Sequence, residues 1–384
     1  MQAGIVLKTV ERCNINCTYC YFFNKKDQSF QLRKPYISKK TLDIFIDFVK
    51  KGIKQLKITH LTIGFHGGEP LMQKKKDFVE MCRSIQQKLT TVIALRKVNF
   101  TIQTNGILID EEWITIFKKY NIGVGISLDG TQEVNDKFRV DKSGRGTYSK
   151  VVKKIKLCRE NNFNIGILAV VNPLLNGQIV FKHFVETLKQ SHFDFLIPDA
   201  NYLDLPTFPI QRYGEFMSEV FIAWSSSFSK DKKVFVRFCL NILELFFGSS
   251  SRVEGYGKRD KNTLPLICVS NNGDLGPLDE LRSCVPELFL KYNIQDISWK
   301  KYLSEELFFK EYLYNMNNSP QDCRSCCWEK ICKGGAYVHR YDKNTGFLNK
   351  SVYCEALKYF YEKVTFYLLQ NGYVVSDIKK FLSI

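Results

Sequence analysis

No stretch of this chain approaches the roughly 18 consecutive apolar residues of a membrane-spanning helix, so no membrane association is expected. The N-terminus, MQAGIVLKTVERC, has no basic segment leading into a long apolar core, which excludes a secretory signal. No internal repeat or low-complexity tract is present, which removes repeat architectures from consideration. Acidic residues are scarce, 39 Asp and Glu against 56 Lys and Arg, for a net charge of +17. Such a field attracts an acidic peptide, RNA or a ribosome surface. The lysines are nevertheless spread along the chain, and runs such as Lys74 to Lys76 and Lys153 with Lys154 read first as solvated helix faces. Cysteine is abundant by contrast: 13, odd in number and clustered, in a chain without a secretory signal. That pattern favours metal ligands over disulfides and a cytoplasmic, reducing setting.

The 384 residues suffice for two domains and a sizeable core. Apolar, β-rich runs at GIVLKTV, HLTIGFHG, KVNFTIQT, IGVGISLD, NIGILAVV and FDFLIPDA alternate with amphipathic stretches near 38–51, 73–90, 110–120, 147–161 and 176–190. Strand followed by helix, repeated, predicts an α/β fold with a parallel sheet and crossover helices. In sheets closed into barrels, chemistry gathers at the C-terminal strand ends, and the polar motifs fall there. Residues 206–262 change character, with helical patterns at LPTFPIQRYGEFMSEVFIAWSSSF and VFVRFCLNILELFFG and a loop at GSSSRVEGYGKRDKN. They read as a bridge between a first domain, 1–205, and a last, 263–384.

Cys13, Cys17 and Cys20 form C-x3-C-x2-C in CNINCTYC, just past the first strand. Three thiolates so close together can hold three corners of a [4Fe-4S] cube and leave one iron open for a small ligand. A structural zinc site is the alternative, although such sites usually pair two local C-x2-C knuckles, and no partner knuckle follows until Cys323. With aromatic Tyr19 before the third cysteine, the motif resembles that of the radical S-adenosylmethionine (SAM) superfamily. The resemblance implies a partial (β/α)6 barrel of the TIM type, SAM on the open iron, reductive cleavage to a 5′-deoxyadenosyl radical, and an external electron donor of flavodoxin or ferredoxin type. It also implies roles for the strand-end motifs. Gly67, Gly68, Glu69 and Pro70, the GGEP segment, would bind the SAM amino group. Gln103 and Asn105 in QTNG, and Ser127 and Asp129 in SLDG, end the next two strands. Ser127 and Arg139 would contact the carboxylate or ribose, and Val170 and Asn172 would border the adenine. For each of these residues singly, core packing or turn capping remains open.

A second cysteine system, Cys323, Cys326 and Cys332 with Cys354 beyond, supplies the four thiolates of a fully ligated auxiliary [4Fe-4S] cluster. Zinc on the same four is the alternative. The pattern resembles the SPASM domain of radical SAM peptide-modifying enzymes, but with two departures: Ala336 and Leu278 stand where that domain normally has cysteines. Cys268 and Cys284 remain, with Cys327 or Asp274 as the only further help. One auxiliary cluster, two clusters overall, is therefore expected.

Together, GDLGPLDELRS, ICKGGAYVHRYDKNTGF and SVYC resemble the radical SAM/SPASM maturases that install cyclophane or ether cross-links on aromatic residues such as Trp in ribosomally made precursor peptides, the darobactin-type maturases among them. A cross-link made from two C–H or X–H bonds removes two hydrogens. The radical takes one, and a base and an electron acceptor must take the rest. By resemblance Asp279, directly after Leu278, is the base, with loop capping as its other reading. His339 and Arg340 would hold the peptide or the cluster loop, or form a structural salt bridge. The alternatives kept open are a thioether-forming or formylglycine-forming maturase, and a non-catalytic iron-sulfur protein that binds RNA. The barrel begins within a dozen residues of the start, so leader recognition is expected on the bridge or the SPASM-like surface.

Overall fold

The structure is a computed structural model that describes residues 1–227, 233–251, 253, 255–305 and 307–382. In chain order the elements that matter here are β1 (Gln2–Val10), α1 (Lys39–Leu56), β2 (His60–Gly67), α2 (Lys75–Leu89), β3 (Lys97–Thr104), α3 (Glu111–Lys119), β4 (Ile122–Ser127), α4 (Gln132–Phe138), α5 (Tyr148–Glu160), β5 (Gly166–Val170), α6 (Gly177–Lys182) and β6 (His192–Leu196). They continue with α7 (Ile210–Ser227), β7 (Phe235–Val236), α8 (Arg237–Phe246), β8 (Ile267–Val269), β9 (Asp274–Gly276), β10 (Tyr292–Asn293), α9 (Trp299–Glu305), α10 (Leu307–Asn317), α11 (Glu329–Cys332), α12 (Cys354–Gln370) and α13 (Val375–Leu382).

Local chemistry explains the main elements. Ser38 starts α1 by accepting from the Thr41 amide, and Lys57, with φ at 52°, turns the chain out of it. The face it buries, Leu42, Phe45, Ile46, Val49 and Ile53, follows helical spacing. Asp110 caps α3 through the Trp113 amide at 2.8 Å. In β2, Leu61, Ile63 and Phe65 are buried, whereas Thr62, Gly64 and His66 on the opposite face are only half-buried.

The chain divides into two compact units. The first comprises residues 1–128, 135–165 and 261–310. Its strands run in the order β10-β9-β8-β1-β2-β3-β4, parallel from β8 to β4 and antiparallel at β9 and β10. Phe65 packs between Phe78 and Phe100, and Phe48 of α1 stacks on Trp299 of α9. The second unit comprises residues 129–134, 166–260 and 311–384. There β5, β6 and β7 are parallel neighbours, and α7 packs on α12 through Phe221 against Phe360 and Tyr213 against Tyr353.

The six predicted strands are present as β1 to β6, and the predicted helices as α1, α2, α3, α5 and α6. The last is cut short at Lys182, where a π turn over His183–Thr187 takes over. Strands β7 to β10 are not read from the sequence, because two or three residues are too few to show a period; β7 takes Phe235–Val236 from the expected helix VFVRFCLNILELFFG, which starts only at Arg237. The helical pattern expected through Phe228 is described as far as Ser227; Phe228, like Arg252 and Glu254 of the expected loop, lies outside the described residues.

Candidate active site

Register carries polar side chains from separate strands to one face of the first unit. Lys8 is the register partner of His66. Val6, two residues before Lys8, pairs with Cys268, and Gly64, two before His66, pairs with Thr101, two before Gln103. Because side chains alternate along a strand, Lys8, His66, Cys268 and Gln103 share a face. Gln103 then donates to the Ser127 hydroxyl at 2.8 Å, carrying the polar strip to the end of β4.

Asp279, the sequence-predicted base, opens a short 3-10 turn, Asp279–Ser283, and reaches into this face. Its Oδ2 lies 2.7 Å from the Lys8 ammonium and 3.5 Å from His66 Nδ1 and accepts a hydrogen bond from the Tyr21 hydroxyl. Its Oδ1 accepts from Arg282 Nε at 3.0 Å and lies 3.4 Å from Cys268 Sγ. Arg282 is fully buried and pairs with Asp27 at 2.8 Å. Burial pushes the Asp279 carboxyl up, but the Lys8 charge, the His66 hydrogen bond and the Arg282 charge overcome it and hold the group well below the usual carboxylate range. His66 moves down, first through burial and then through the Lys8 charge, so it is neutral at pH 7. Cys268 is pushed up to about 12 by burial and by Asp279, so it stays a thiol.

Lys8, Tyr21, His66, Asp27 and Arg282 were not singled out from sequence. One signal was available: Lys8 interrupts an apolar strand run, and it proves to be fully buried.

The cysteine triad is anchored to the end of β2. The amides of Gly68 and Glu69 donate to the carbonyls of Val10 and Arg12 at 2.7 and 2.9 Å. Gly67 has φ at 138°, and a Cβ there would stand 2.1 Å from the Val10 carbonyl oxygen, so only glycine allows this approach. Glu69 is buried, with Oε1 accepting from Thr104 Oγ1 at 2.7 Å and the Leu71 amide at 2.9 Å, and Oε2 from the Asn105 amide at 2.8 Å. It thereby caps the 3-10 turn that begins at Pro70. Burial raises the Glu69 carboxyl, and these hydrogen bonds work against that rise. Asn105 lies 3.9 Å from Cys13 Sγ, and Arg139 donates to the Tyr19 hydroxyl at 2.7 Å. Cys13, Cys17 and Cys20 form no disulfide and lie within one another's electrostatic reach. Burial, then Glu69, lifts the Cys13 thiol to about 12, so ligation there requires a metal that displaces the proton. Three such thiols on one loop fit the three corners of a cube.

Asp129, Val170 and Asn172 belong to the second unit, where the Val170 amide donates to Asp129 at 3.0 Å and Asn172 accepts from the Leu174 amide. The second cysteine system is in the same unit. Cys323, Cys326, Cys332 and Cys354 line one pocket together with Lys350, Lys358 and Tyr361. Gly335, with φ at 82°, brings the turn after Cys332 against Ser351, 2.7 Å from where a Cβ would lie. Among the described residues no group of three or more ligands converges on a single ion. A cube offers a separate iron to each thiolate, so ligands that line a pocket suit it better than they suit zinc.

Cys284 Sγ is turned to the Leu281 carbonyl at 3.5 Å, Asp274 pairs with Arg33 at 3.0 Å, and Cys327 is exposed. His339 and Arg340 are buried, and Arg340 donates to the carbonyls of Phe347 and Asn349, with no salt bridge among the described residues.

Residues 7–189 match the radical SAM superfamily model. Residues 7–189 are thus a radical SAM domain, the mark of an enzyme that uses SAM and iron-sulfur clusters, on an α/β fold with a parallel sheet, so the reading as a non-catalytic iron-sulfur protein falls away. It is 27% identical over 372 residues to a cysteine-type anaerobic sulfatase-maturating enzyme of Clostridium novyi (strain NT), covering 91% of this chain and 92% of that one. It is 24% identical over 409 residues to a serine-type anaerobic sulfatase-maturating enzyme of Bacteroides thetaiotaomicron, covering 96% and 92%. Among solved structures, native anSMEcpe with bound AdoMet and Cp18Cys peptide superposes with a TM-score of 0.82 at 24% identity, over 96% of this chain and 98% of that one. Streptococcus suis SuiB superposes with a TM-score of 0.61 at 17% identity, over 91% and 76%.

Proposed function

We propose that this enzyme is a maturase that oxidises residues of a ribosomally made precursor peptide, removing two hydrogens to join an aromatic side chain to a nearby carbon or oxygen. The observation that carries this reading is the buried, ionised Asp279 among Lys8, His66, Tyr21 and Arg282, in the same unit as the Cys13, Cys17 and Cys20 loop. An oxidation of this kind must dispose of a proton and an electron as well as a hydrogen atom. Bound to Cys13, Cys17 and Cys20, the cluster would supply the electron that cleaves SAM and so provides the hydrogen-atom abstractor. Asp279 and its neighbours receive the proton. Cys323, Cys326, Cys332 and Cys354 hold one auxiliary cluster, while Cys268 and Asp274 are engaged by Asp279 and Arg33. Thirteen cysteines, all of them free thiols, support a cytoplasmic setting.

The relatives' names support a second reading, formation of formylglycine in a sulfatase. Leu278 and Ala336 weigh against it, because they stand at two ligand positions of the fuller SPASM pattern. Reduced enzyme with SAM and a candidate precursor peptide from an open reading frame flanking its gene should release 5′-deoxyadenosine and yield a peptide lighter by two hydrogens, with a ring that resists fragmentation. A product that instead reacts with an aldehyde probe would replace the cross-linking reading with the second one.

A further inference from the structure

We propose that His66, oriented by Asp279, is the group that takes the departing peptide proton, on its Nε2. This rests on the oxidative reading above and names the atom that meets the substrate. Asp279 is enclosed by donors: Oδ2 faces Lys8, Tyr21 and His66, and Oδ1 faces Arg282 and Cys268. Its side chain is only 9% exposed. A proton arriving from outside would have to displace one of these donors, each of them buried or half-buried.

His66 is placed differently. Its side chain is 28% exposed, Nδ1 is 3.5 Å from Asp279 Oδ2 and 3.5 Å from the Lys8 ammonium, and no hydrogen bond engages Nε2 among the described residues. Lys8 already spends its charge on Asp279 at 2.7 Å and on the face of Phe22 at 4.1 Å. In the tautomer that turns Nδ1–H to the carboxylate, Nε2 carries the lone pair, the division of labour by which a buried carboxylate directs a histidine base. The charged groups around the ring are Lys8 from β1 and Asp279 and Arg282 from the 3-10 turn; burial first, then Lys8 and Arg282, hold the imidazole neutral, while Asp279 favours the protonated form it is to become.

The step balances. The abstractor removes a hydrogen atom from one carbon, and that carbon bonds to the aromatic ring. The ring carbon just joined still carries its hydrogen. That C–H bond breaks, its proton passes to Nε2, and the one surplus electron goes to a one-electron acceptor of the iron-sulfur class. The imidazolium is stabilised by Asp279 until water removes the proton from the exposed edge.

The test uses the reconstituted enzyme and a peptide from a flanking open reading frame that it modifies. His66→Ala should lower peptide modification about a hundredfold, raise the 5′-deoxyadenosine released per peptide modified, and be rescued by added imidazole. His66→Gln, which keeps a polar side chain but no proton carrier, should show the loss without the rescue. A readout independent of turnover is acylation of His66 by diethyl pyrocarbonate, mapped by mass spectrometry, which Asp279→Asn should slow. Parent-rate modification by either His66 variant, absence of imidazole rescue, or equal acylation of the parent and Asp279→Asn would overturn the assignment and return the proton to Asp279. A parent enzyme that releases 5′-deoxyadenosine yet removes no hydrogen from the peptide would overturn the oxidative reading first, and this inference with it.

Discussion

The ammonium of Lys8, on the first strand, lies 2.7 Å from the carboxylate of Asp279, just beyond the ninth, and neither group is more than 9% exposed. An ion pair this deep is sensitive to loss of one member, because the survivor keeps its desolvation cost without its partner. Lys8→Met should therefore destabilise the fold by about 3 kcal/mol, held to the low end because Arg282 still serves Asp279. Lys8→Met combined with Asp279→Asn should cost less than the sum of the two single changes. Urea unfolding of all four proteins measures the coupling, and simple additivity would mean the pair contributes nothing.

Acid should act through the same carboxylate. The folded-state pKa of Asp279 is depressed well below its usual range, against about 3.9 for an unfolded Asp. A depressed group gives stability that is complete above the unfolded value and is lost as pH falls through the folded one. The stability gap between the parent and Asp279→Asn should thus be widest near neutrality and narrow below about pH 4. Unfolding curves across that range check this; a constant gap would mean the carboxylate is not held ionised.

SAM cleavage should depend on the first cysteine loop alone. Changing Cys13, Cys17 and Cys20 to Ala should abolish 5′-deoxyadenosine formation while circular dichroism still reports a folded chain. Undiminished cleavage in that triple variant would remove the cluster from the loop.

Iron content separates the two cysteine systems. Two cubes hold about eight irons, and loss of Cys323, Cys326, Cys332 or Cys354 should leave about four. Loss of Cys268 or Cys284, whose sulfurs face Asp279 and the Leu281 carbonyl, should change nothing. A parent value near twelve, three cubes, would show that these two cysteines build a further cluster.

What could be read without coordinates was local. Cys13, Cys17 and Cys20 declare themselves by spacing, as do the four later cysteines, and GGEP sits where an alternating strand run stops. The six long strands and their helices carry enough residues to show a period. The short β8, β9 and β10 do not, and β8 is the strand that brings Cys268 alongside β1.

Sequence by itself determined the alternation of strand and helix and the spacing of the two cysteine clusters, because each rests on residues close together in the chain, while Asp279 drew notice through the family resemblance. Tertiary structure alone decided what surrounds that carboxylate. Lys8 and His66 meet through the register of two parallel strands, Tyr21 arrives from the cysteine loop, and Arg282 comes from the carboxylate's own 3-10 turn, tied to distant Asp27. Register and burial are properties of paired strands, so no single segment could reveal that Asp279 is enclosed by donors while the ring of His66 stays open.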